Sequence, residues 1–252
     1  MRRGFHVVEA SAETTASRTS DELARFLLDR RVDGVLLDSP ETADEVARFA
    51  ERGLPLVQLM RPQRAVASAT LTVDAAPGIA AAIEHLVALG HRRIGFLGHG
   101  GEHPVDRSRR EAFIAALARH GLRAQSAWIR LMTDYSSAES HAATLALLAS
   151  PERPTAIFAA GDNLALGVLK AVYDLRLRVP DDLSLVSYDD ILAPHLPPPL
   201  TSVRQPLQDL AEQAITLIAG QLEQAGAPAA PAPQLVLPTQ LVIRNSTTPP
   251  RP

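Results

Sequence analysis

Residues 155–190 read TAIFAAGDNLALGVLKAVYDLRLRVPDDLSLVSYDD, and this stretch decides the fold. It opens with an apolar run over 155–160 and closes with a second one over 183–187, and both runs have the length and composition of buried strands. The segment between them is long enough for a helix. A strand, a helix and a second strand in this order predict two parallel strands joined by a crossover helix.

The same alternation extends over most of the chain and predicts an α/β fold with parallel sheets. One helix can be bounded closely, because Pro77 suits a first helical turn and Gly90 suits a left-handed stop. Gly121 closes another helix in the same way, and a long late helix carries its apolar side over 207–222. Further strands are predicted over 5–9, 34–37, 55–59, 93–97, 127–131 and 235–243, with a loop over 226–233.

Composition removes several classes of protein. The 252 residues are 46% hydrophobic, which supports a sizeable core, and their net charge of -3 leaves no basic excess for gripping nucleic acid. Cysteine is absent, so disulfide scaffolds and thiolate zinc sites are excluded. No apolar run has the length of a membrane span and the start lacks a signal-peptide core, so we expect a cytoplasmic protein with no membrane partner.

Polar residues follow the predicted strands directly. In an open parallel sheet the ligand crevice lies beyond the carboxyl ends of the strands, so these residues are the first candidates for a binding site. Carboxylates, guanidinium groups and an aromatic ring suit a polyhydroxylated or heterocyclic ligand. Each acid could instead cap a helix, and the arginines could form a solvated helix face. The candidates are Arg107 and Arg109 after 93–97, Tyr135 after 127–131, Asp162 after 155–160 and Asp189 after 183–187.

Catalytic motifs are absent from the sequence. It has no GxSxG elbow, no Walker phosphate loop and no HExxH pair. Histidines such as His91, His99 and His141 are scattered over different elements without metal-ligand spacing. We therefore expect no catalytic residues, no metal and no cofactor.

A set of segments resembles the LacI/GalR family of transcriptional regulators in order and spacing. The resemblance runs from about the start of the chain to its end, and the set is far more specific than any one of its members. The segments are VDGVLL (32–37), IEHLVALGHRRIGFLG (83–98), RREAFIAAL (109–117), TAIFAAGDNLALGVLKA (155–171), VPDDLSLVSYDD (179–190), PPLTSVRQP (198–206) and LPTQLVIRNST (237–247).

This resemblance implies a type I periplasmic-binding-protein fold, in which two doubly wound lobes are joined by three crossovers and the effector lies between them. The N-terminal lobe would take residues 1–73 and 205–233. The C-terminal lobe would take 74–204 and 234–248, followed by a tail over 249–252. The chain opens at what resembles the family's second strand. The first strand and first helix of the N-terminal lobe would therefore be missing, together with the DNA-reading headpiece, and we expect a marginal first lobe that does not bind an operator.

The resemblance also assigns site residues. Arg109 matches the family's effector-contacting arginine, Asp189 an acid at a strand end and Tyr135 the aromatic that stacks on the ligand. Asp162 matches an acid at the rim of the same cleft. Many members carry an acid at or next to Met60, where this chain continues with Arg61, so the ligand class is left open.

The resemblance implies a homodimer that binds a sugar-like effector and acts on operator DNA through a headpiece. The alternative from another class is a solute-binding protein of a sugar transporter, which the absence of a signal peptide disfavours. A hydrolase or transferase would need a nucleophile and base that the crevice residues do not supply.

Overall fold

The described chain forms two sheets, each in a compact unit of its own. The computed structural model describes residues 25, 29, 32–39, 42–101, 104–223 and 232–251. The first unit falls within Met1–Thr72 and Leu207–Leu237, and the second within Val73–Pro206 and Pro238–Pro252. The strand predicted over 5–9 and most of the loop predicted over 226–233 lie outside the described residues, as does the front of the first lobe.

Strands and helices alternate along most of the described chain. The strands are β1 (Val35–Asp38), β2 (Leu56–Leu59), β3 (Ala69–Asp74), β4 (Ile94–His99), β5 (Ile129–Met132), β6 (Ala156–Ala159), β7 (Ser184–Asp189), β8 (Thr201–Arg204), β9 (Gln234–Pro238) and β10 (Gln240–Val242). The helices are α1 (Ala43–Ala50), α2 (Ala76–Ala88), α3 (Pro104–Arg119), α4 (Ser137–Leu148), α5 (Asp162–Asp174) and α6 (Leu207–Glu223). Short 3-10 turns cover Ser126–Trp128 and Ala193–His195.

The first unit carries a sheet with the strand order β1-β2-β3-β9, in which β1, β2 and β3 run parallel. Thr42 caps α1, because its hydroxyl accepts a hydrogen bond from the Glu45 N–H. The side-chain amide of Gln221 on α6 bonds to both backbone groups of Leu56, accepting from its N–H at 2.8 Å and donating to its carbonyl at 3.2 Å. These bonds tie α6 to the middle of the sheet.

The second unit carries a six-stranded sheet in the order β10-β8-β7-β6-β4-β5, parallel except for the antiparallel edge strand β10. Neighbouring side chains of a strand point to opposite faces of the sheet. Phe96 packs in one core with Phe113 of α3, their ring centroids 5.0 Å apart, whereas Leu97 lies in the other core with Val168 of α5. Helices therefore cover both faces, which confirms the doubly wound parallel sheet predicted for this part of the chain.

The predicted helix limits are confirmed where glycine ends a helix. Pro77 lies in the first turn of α2, and Gly90 follows that helix with a φ of +100°. Gly121 follows α3 with a φ of +69°. Glycine adopts this left-handed conformation without the clash that a Cβ would cause, so it ends a helix readily.

Two strands were not predicted. The family resemblance placed lobe limits at 73/74 and 204/205, and β3 and β8 lie at these limits. The β8 strand has a single apolar residue, Val203, and therefore no apolar run, whereas β3 does alternate apolar and polar residues. The strand predicted over 235–243 is in fact two strands, since β9 belongs to the first unit and β10 to the second.

The domain limits change accordingly. Residues 234–237 belong to the first unit and not to the C-terminal lobe, and the chain passes between units at 72/73, 206/207 and 237/238. The end of the chain is no separate tail, since it groups with the second unit. The Arg251 guanidinium forms an ion pair with Asp182, and the Thr248 carbonyl accepts from Nε2 of buried His91.

Candidate functional site

The carboxyl ends of β4, β6 and β7 bring most of the predicted site residues together at one edge of the second sheet. Asp189, the last residue of β7, has a φ of +96°, and Asp190 after it has a φ of +65°. Two successive non-glycine residues in left-handed conformations are strained, and such strain is most often found at functional sites. The side chains around this strained turn therefore form the candidate site.

Arg109 lies at the centre of this edge and is only 7% exposed. One of its terminal nitrogens donates to the Ala160 carbonyl at 2.9 Å, and the other lies 3.8 Å from a carboxylate oxygen of Asp189. Its guanidinium lies 4.0 Å from the centre of the Tyr188 ring, a cation–π distance. Within the described residues its Nε is buried without a hydrogen-bond partner. An arginine held this firmly keeps one donor for another molecule.

The electrostatics keep Arg109 charged. Burial alone would lower the pKa of its guanidinium, because the charged form loses hydration. Tyr188 and the carboxylates of Asp189 and Asp106 outweigh that effect and raise the pKa above its ordinary value. The site therefore presents a fixed positive charge.

Asp189 faces this charge together with a residue that the sequence reasoning missed. Gln205 donates from Nε2 to Asp189 Oδ1 at 2.7 Å, while its own Oε1 is buried with no hydrogen-bond partner among the described residues. Burial raises the pKa of the Asp189 carboxyl, and Arg109 and Gln205 oppose that shift. The edge thus combines a cation, a carboxylate and an uncommitted amide oxygen.

Asp162 has a different role from the one predicted. It begins α5 and is buried, and its Oδ2 accepts from the N–H groups of Ile191 at 2.8 Å and Leu192 at 2.7 Å. The Ala193 N–H lies 3.4 Å from the same oxygen, and the Ser187 hydroxyl donates to Oδ1. With protein donors on both oxygens, Asp162 braces the loop after β7. Its backbone N–H lies 3.4 Å from Asp189 Oδ2 and supports that carboxylate.

Tyr135 borders the same edge from the loop after β5. A methyl group placed on Gly161 would lie 3.4 Å from Cδ1 of the Tyr135 ring and 3.6 Å from Asp189 Oδ2. The ring and the Asp189 carboxylate are therefore neighbours across Gly161. The Tyr135 hydroxyl donates to Asp106 Oδ1.

Arg107 and Arg61 have surroundings of their own. The Arg107 side chain is half-exposed, and its Nε lies 3.7 Å from Glu111 one turn along α3. Arg61 lies in the first unit, in the turn that follows β2 at Met60, which has a φ of +58°. A role for either residue in binding stays a prediction.

Three residues at this edge, Gln205, Asp106 and His99, were not predicted as site residues from the sequence. Gln205 directly follows β8, so predicting that strand would have pointed to it by the rule that found Asp189. Asp106 and His99 lie beside the predicted residues in sequence, but only the folded chain shows that both contact Tyr135.

The described residues lack two kinds of feature. They contain no group of three or more histidine, cysteine or acidic side chains that could hold a metal ion. No helix in that part of the chain is both long and apolar enough to cross a membrane.

Two α/β units, of which the second ends in a polar edge built around a buried arginine and an aspartate, define a ligand-binding domain of the periplasmic-binding-protein type. Residues 83–247 match the family model described as a periplasmic binding protein-like domain. The HTH-type transcriptional regulator MalR of Streptomyces coelicolor is 34% identical over 257 residues, covering 98% of this chain and 73% of the relative. The chain belongs to the LacI family of transcriptional regulators.

Solved structures agree with this assignment. The transcriptional regulator CelR–cellobiose complex has a TM-score of 0.78 at 28% identity, covering 90% of this chain and 69% of that one. A LacI family transcriptional regulator from Enterococcus faecium with bound ribose has a TM-score of 0.79 at 26% identity, covering 93% and 86%. The family resemblance and the α/β fold predicted from the sequence are confirmed.

Proposed function

We propose that this chain is the effector-sensing part of a transcriptional regulator and binds a small, sugar-like molecule at the carboxyl edge of the second sheet. The observation that carries the proposal is the group formed by Arg109, Asp189 and Gln205. It places a buried N–H donor and a buried carbonyl acceptor without partners beside an ionic pair. Buried polar groups are costly when unpaired, so a ligand that satisfies them gains affinity.

The balance of charge favours a neutral ligand. The Arg109 guanidinium faces the Asp189 carboxylate, and the buried carboxylates of Asp162 and Asp106 lie nearby, so a strongly anionic molecule would be repelled. Hydroxyl groups both donate and accept, and they can serve Arg109 Nε, Asp189 and Gln205 Oε1 together. The Tyr135 ring offers an apolar face for the carbon skeleton. Relatives solved with cellobiose and with ribose support this class of ligand.

The other predicted residues enter the proposal differently. Asp162 acts by bracing the loop beside Asp189, since protein donors occupy both of its oxygens. Roles for Arg61 and for Arg107, whose partner is Glu111, stay predictions from the sequence.

A thermal-shift screen of cellobiose, ribose, adenine and ribose 5-phosphate tests the proposal. A ligand at a hundred times its Kd adds about 2.7 kcal/mol to the stability of the protein it binds. For a domain of this size that corresponds to about 5 to 10 °C in Tm. We expect a neutral sugar to produce such a shift, and Arg109→Ala or Asp189→Ala to abolish it. A panel without any shift, or variants that respond like the wild type, would refute the site.

The names of the relatives favour a regulator over a solute-binding protein of a transporter and over an enzyme. We therefore propose a cytoplasmic homodimer that acts on operator DNA through a headpiece. Sedimentation velocity tests the dimer, and a monomer at all concentrations would exclude it.

A further inference from the structure

Asp106 lies in the first turn of α3, and each of its two carboxylate oxygens contacts a different side chain. The Tyr135 hydroxyl donates to Oδ1, and Nδ1 of His99 lies 2.9 Å from Oδ2. Asp106 is almost fully buried, so water competes little for these contacts. The carboxylate joins the end of β4 to the loop after β5.

His99 holds the same tyrosine by a second route. The rings of His99 and Tyr135 are stacked, with their centroids 5.2 Å apart and 18° between their planes. Nε2 of His99 donates to the carbonyl of Thr133 at 2.7 Å, which ties the imidazole to the loop that carries Tyr135. The tyrosine is therefore restrained at its hydroxyl by Asp106 and on its ring by His99.

The restrained ring is the one that borders the proposed ligand site. Its Cδ1 and Cε1 atoms lie 3.4 and 3.5 Å from the position of a methyl group on Gly161, next to the Asp189 carboxylate. A binding side chain that is already ordered in the free protein loses less conformational entropy when a ligand arrives. Restraint of the Tyr135 ring in the free protein should therefore increase the affinity for the ligand.

We propose that Asp106 and His99 are positioning residues, which hold the Tyr135 ring in the orientation that receives the effector. The inference rests on the proposed function, because it assigns these two residues to the same site. Neither residue needs to touch the ligand. They act by restraining Tyr135, whereas Arg109 and Asp189 are proposed to contact the ligand directly.

Isothermal titration of the full chain with cellobiose and with ribose tests the effect on binding. Asp106→Asn and His99→Ala should each raise the Kd about 3- to 10-fold, the penalty for ordering a side chain on binding. Tyr135→Phe should do the same. In the double variant of Asp106→Asn with Tyr135→Phe, the increase should not exceed the larger single effect, because Tyr135→Phe removes the same hydrogen bond that Asp106→Asn weakens.

A second histidine–aspartate pair, matched in the exposure of its histidine but with a more exposed aspartate, supplies the control. His141 lies 2.7 Å from Asp174 between α4 and α5, and its side chain is 20% exposed against 23% for His99. His141→Ala and Asp174→Asn should leave the Kd unchanged. If they raise it as much as the Asp106 and His99 variants, the effect is a general loss of folding and the proposal fails.

Fluorine NMR provides a measurement that needs no ligand. The chain has three tyrosines, so 3-fluorotyrosine labelling gives three resonances, and Tyr135→Phe identifies one of them. We expect Asp106→Asn to shift and narrow that resonance as the ring gains motion. An unchanged resonance would overturn the positioning role even if sugars bind. If no sugar binds the wild type, the proposed function fails, while the spectrum still decides whether Asp106 restrains the ring.

Discussion

The guanidinium of Arg109 lies over the Tyr188 ring, its central carbon 4.0 Å from the ring centre, while one terminal nitrogen donates to the Ala160 carbonyl. Ring contact and backbone bond together fix the direction of the remaining Nε donor. A lysine has a single ammonium group and no planar fork, so it cannot keep both contacts and still present a donor at that place.

Arg109→Lys should therefore weaken effector binding at least tenfold although it conserves the charge. The matched control is Arg107→Lys two residues earlier on α3, where a half-exposed ion pair with Glu111 contributes little. Titration calorimetry with the sugar found in the screen gives both Kd values. A Kd within twofold of the wild type for Arg109→Lys would show that only the charge of Arg109 matters. A tenfold weaker binding by Arg107→Lys would show that Arg107 does take part in binding.

Effector binding should weaken in mild acid. Burial raises the pKa of Asp189 above its ordinary 3.8, so this carboxyl is protonated at a higher pH than an exposed aspartate. Protonation removes its negative charge and one acceptor, and the affinity must fall as the pH decreases through the raised pKa. Titrations from pH 7.5 downward should show the decline for the wild type at a higher pH than an exposed aspartate would give, and a flat, weaker profile for Asp189→Asn. A wild-type Kd that depends on pH no more than that of Asp189→Asn would exclude ionised Asp189 from the site.

Arg244 should be important for stability, and Arg204 much less so. Both bond to Asp190, whose side chain is 0% exposed, but Arg244 is 15% exposed and makes two bonds to it, whereas Arg204 is 45% exposed and makes one. Removing the main partner of a buried charge costs about 3 to 5 kcal/mol, and removing an exposed one about 1 or less. Urea unfolding of Arg244→Met and Arg204→Met measures both, and equal losses would contradict the difference in burial.

Stability should fall as the pH decreases below about 6.5. Burial lowers the pKa of His91, and the same effect lowers the pKa of His85. The unfolded chain then takes up protons near the ordinary histidine pKa of 6.5 before the folded chain does, so acid favours unfolding until the pH has passed the lowered pKa. Thermal melts from pH 7.5 to 5.5 should show a declining Tm, and His91→Gln should reduce the slope. The same slope in this variant would assign the effect to other groups.

Two helical glycines should respond to alanine in opposite ways. A Cβ on Gly167 of α5 would meet Ser140 Oγ at 1.9 Å and the Ser137 carbonyl oxygen at 2.4 Å, so α4 and α5 would have to separate. Gly220 of α6 has no atom within 4 Å of that position among the described residues. Gly167→Ala should cost about 1 to 3 kcal/mol by overpacking, and Gly220→Ala should gain up to about 1 kcal/mol from helix propensity. Chemical denaturation compares them, and a neutral Gly167→Ala would show that the two helices adapt.

The fold and half of the site could be predicted because both depend on where parallel strands end. The polar residues after 93–97, 127–131, 155–160 and 183–187 do meet at one edge, since the carboxyl ends of parallel strands share an edge. The four residues of β8 include a single apolar side chain, Val203, so the strand was not predicted and Gln205 after it was missed.

The roles within the site could not be predicted, because they depend on which donors a side chain meets in three dimensions. Asp162 and Asp189 occupy equivalent places after neighbouring strands. The loop after β7 brings its N–H groups to the Asp162 carboxylate, whereas Asp189 meets a guanidinium and an amide. The conformation of the loop after β7 therefore decides that Asp162 braces this loop, while Asp189 is left to take part in the proposed binding.

The last strands of the two sheets, β9 and β10, are separated by a single residue, buried Thr239. Each sheet takes one strand from residues 234–242, which come after every other described strand in the chain. On the ribosome both units must therefore wait for the same late segment, so no uninterrupted fragment of the chain corresponds to a whole domain.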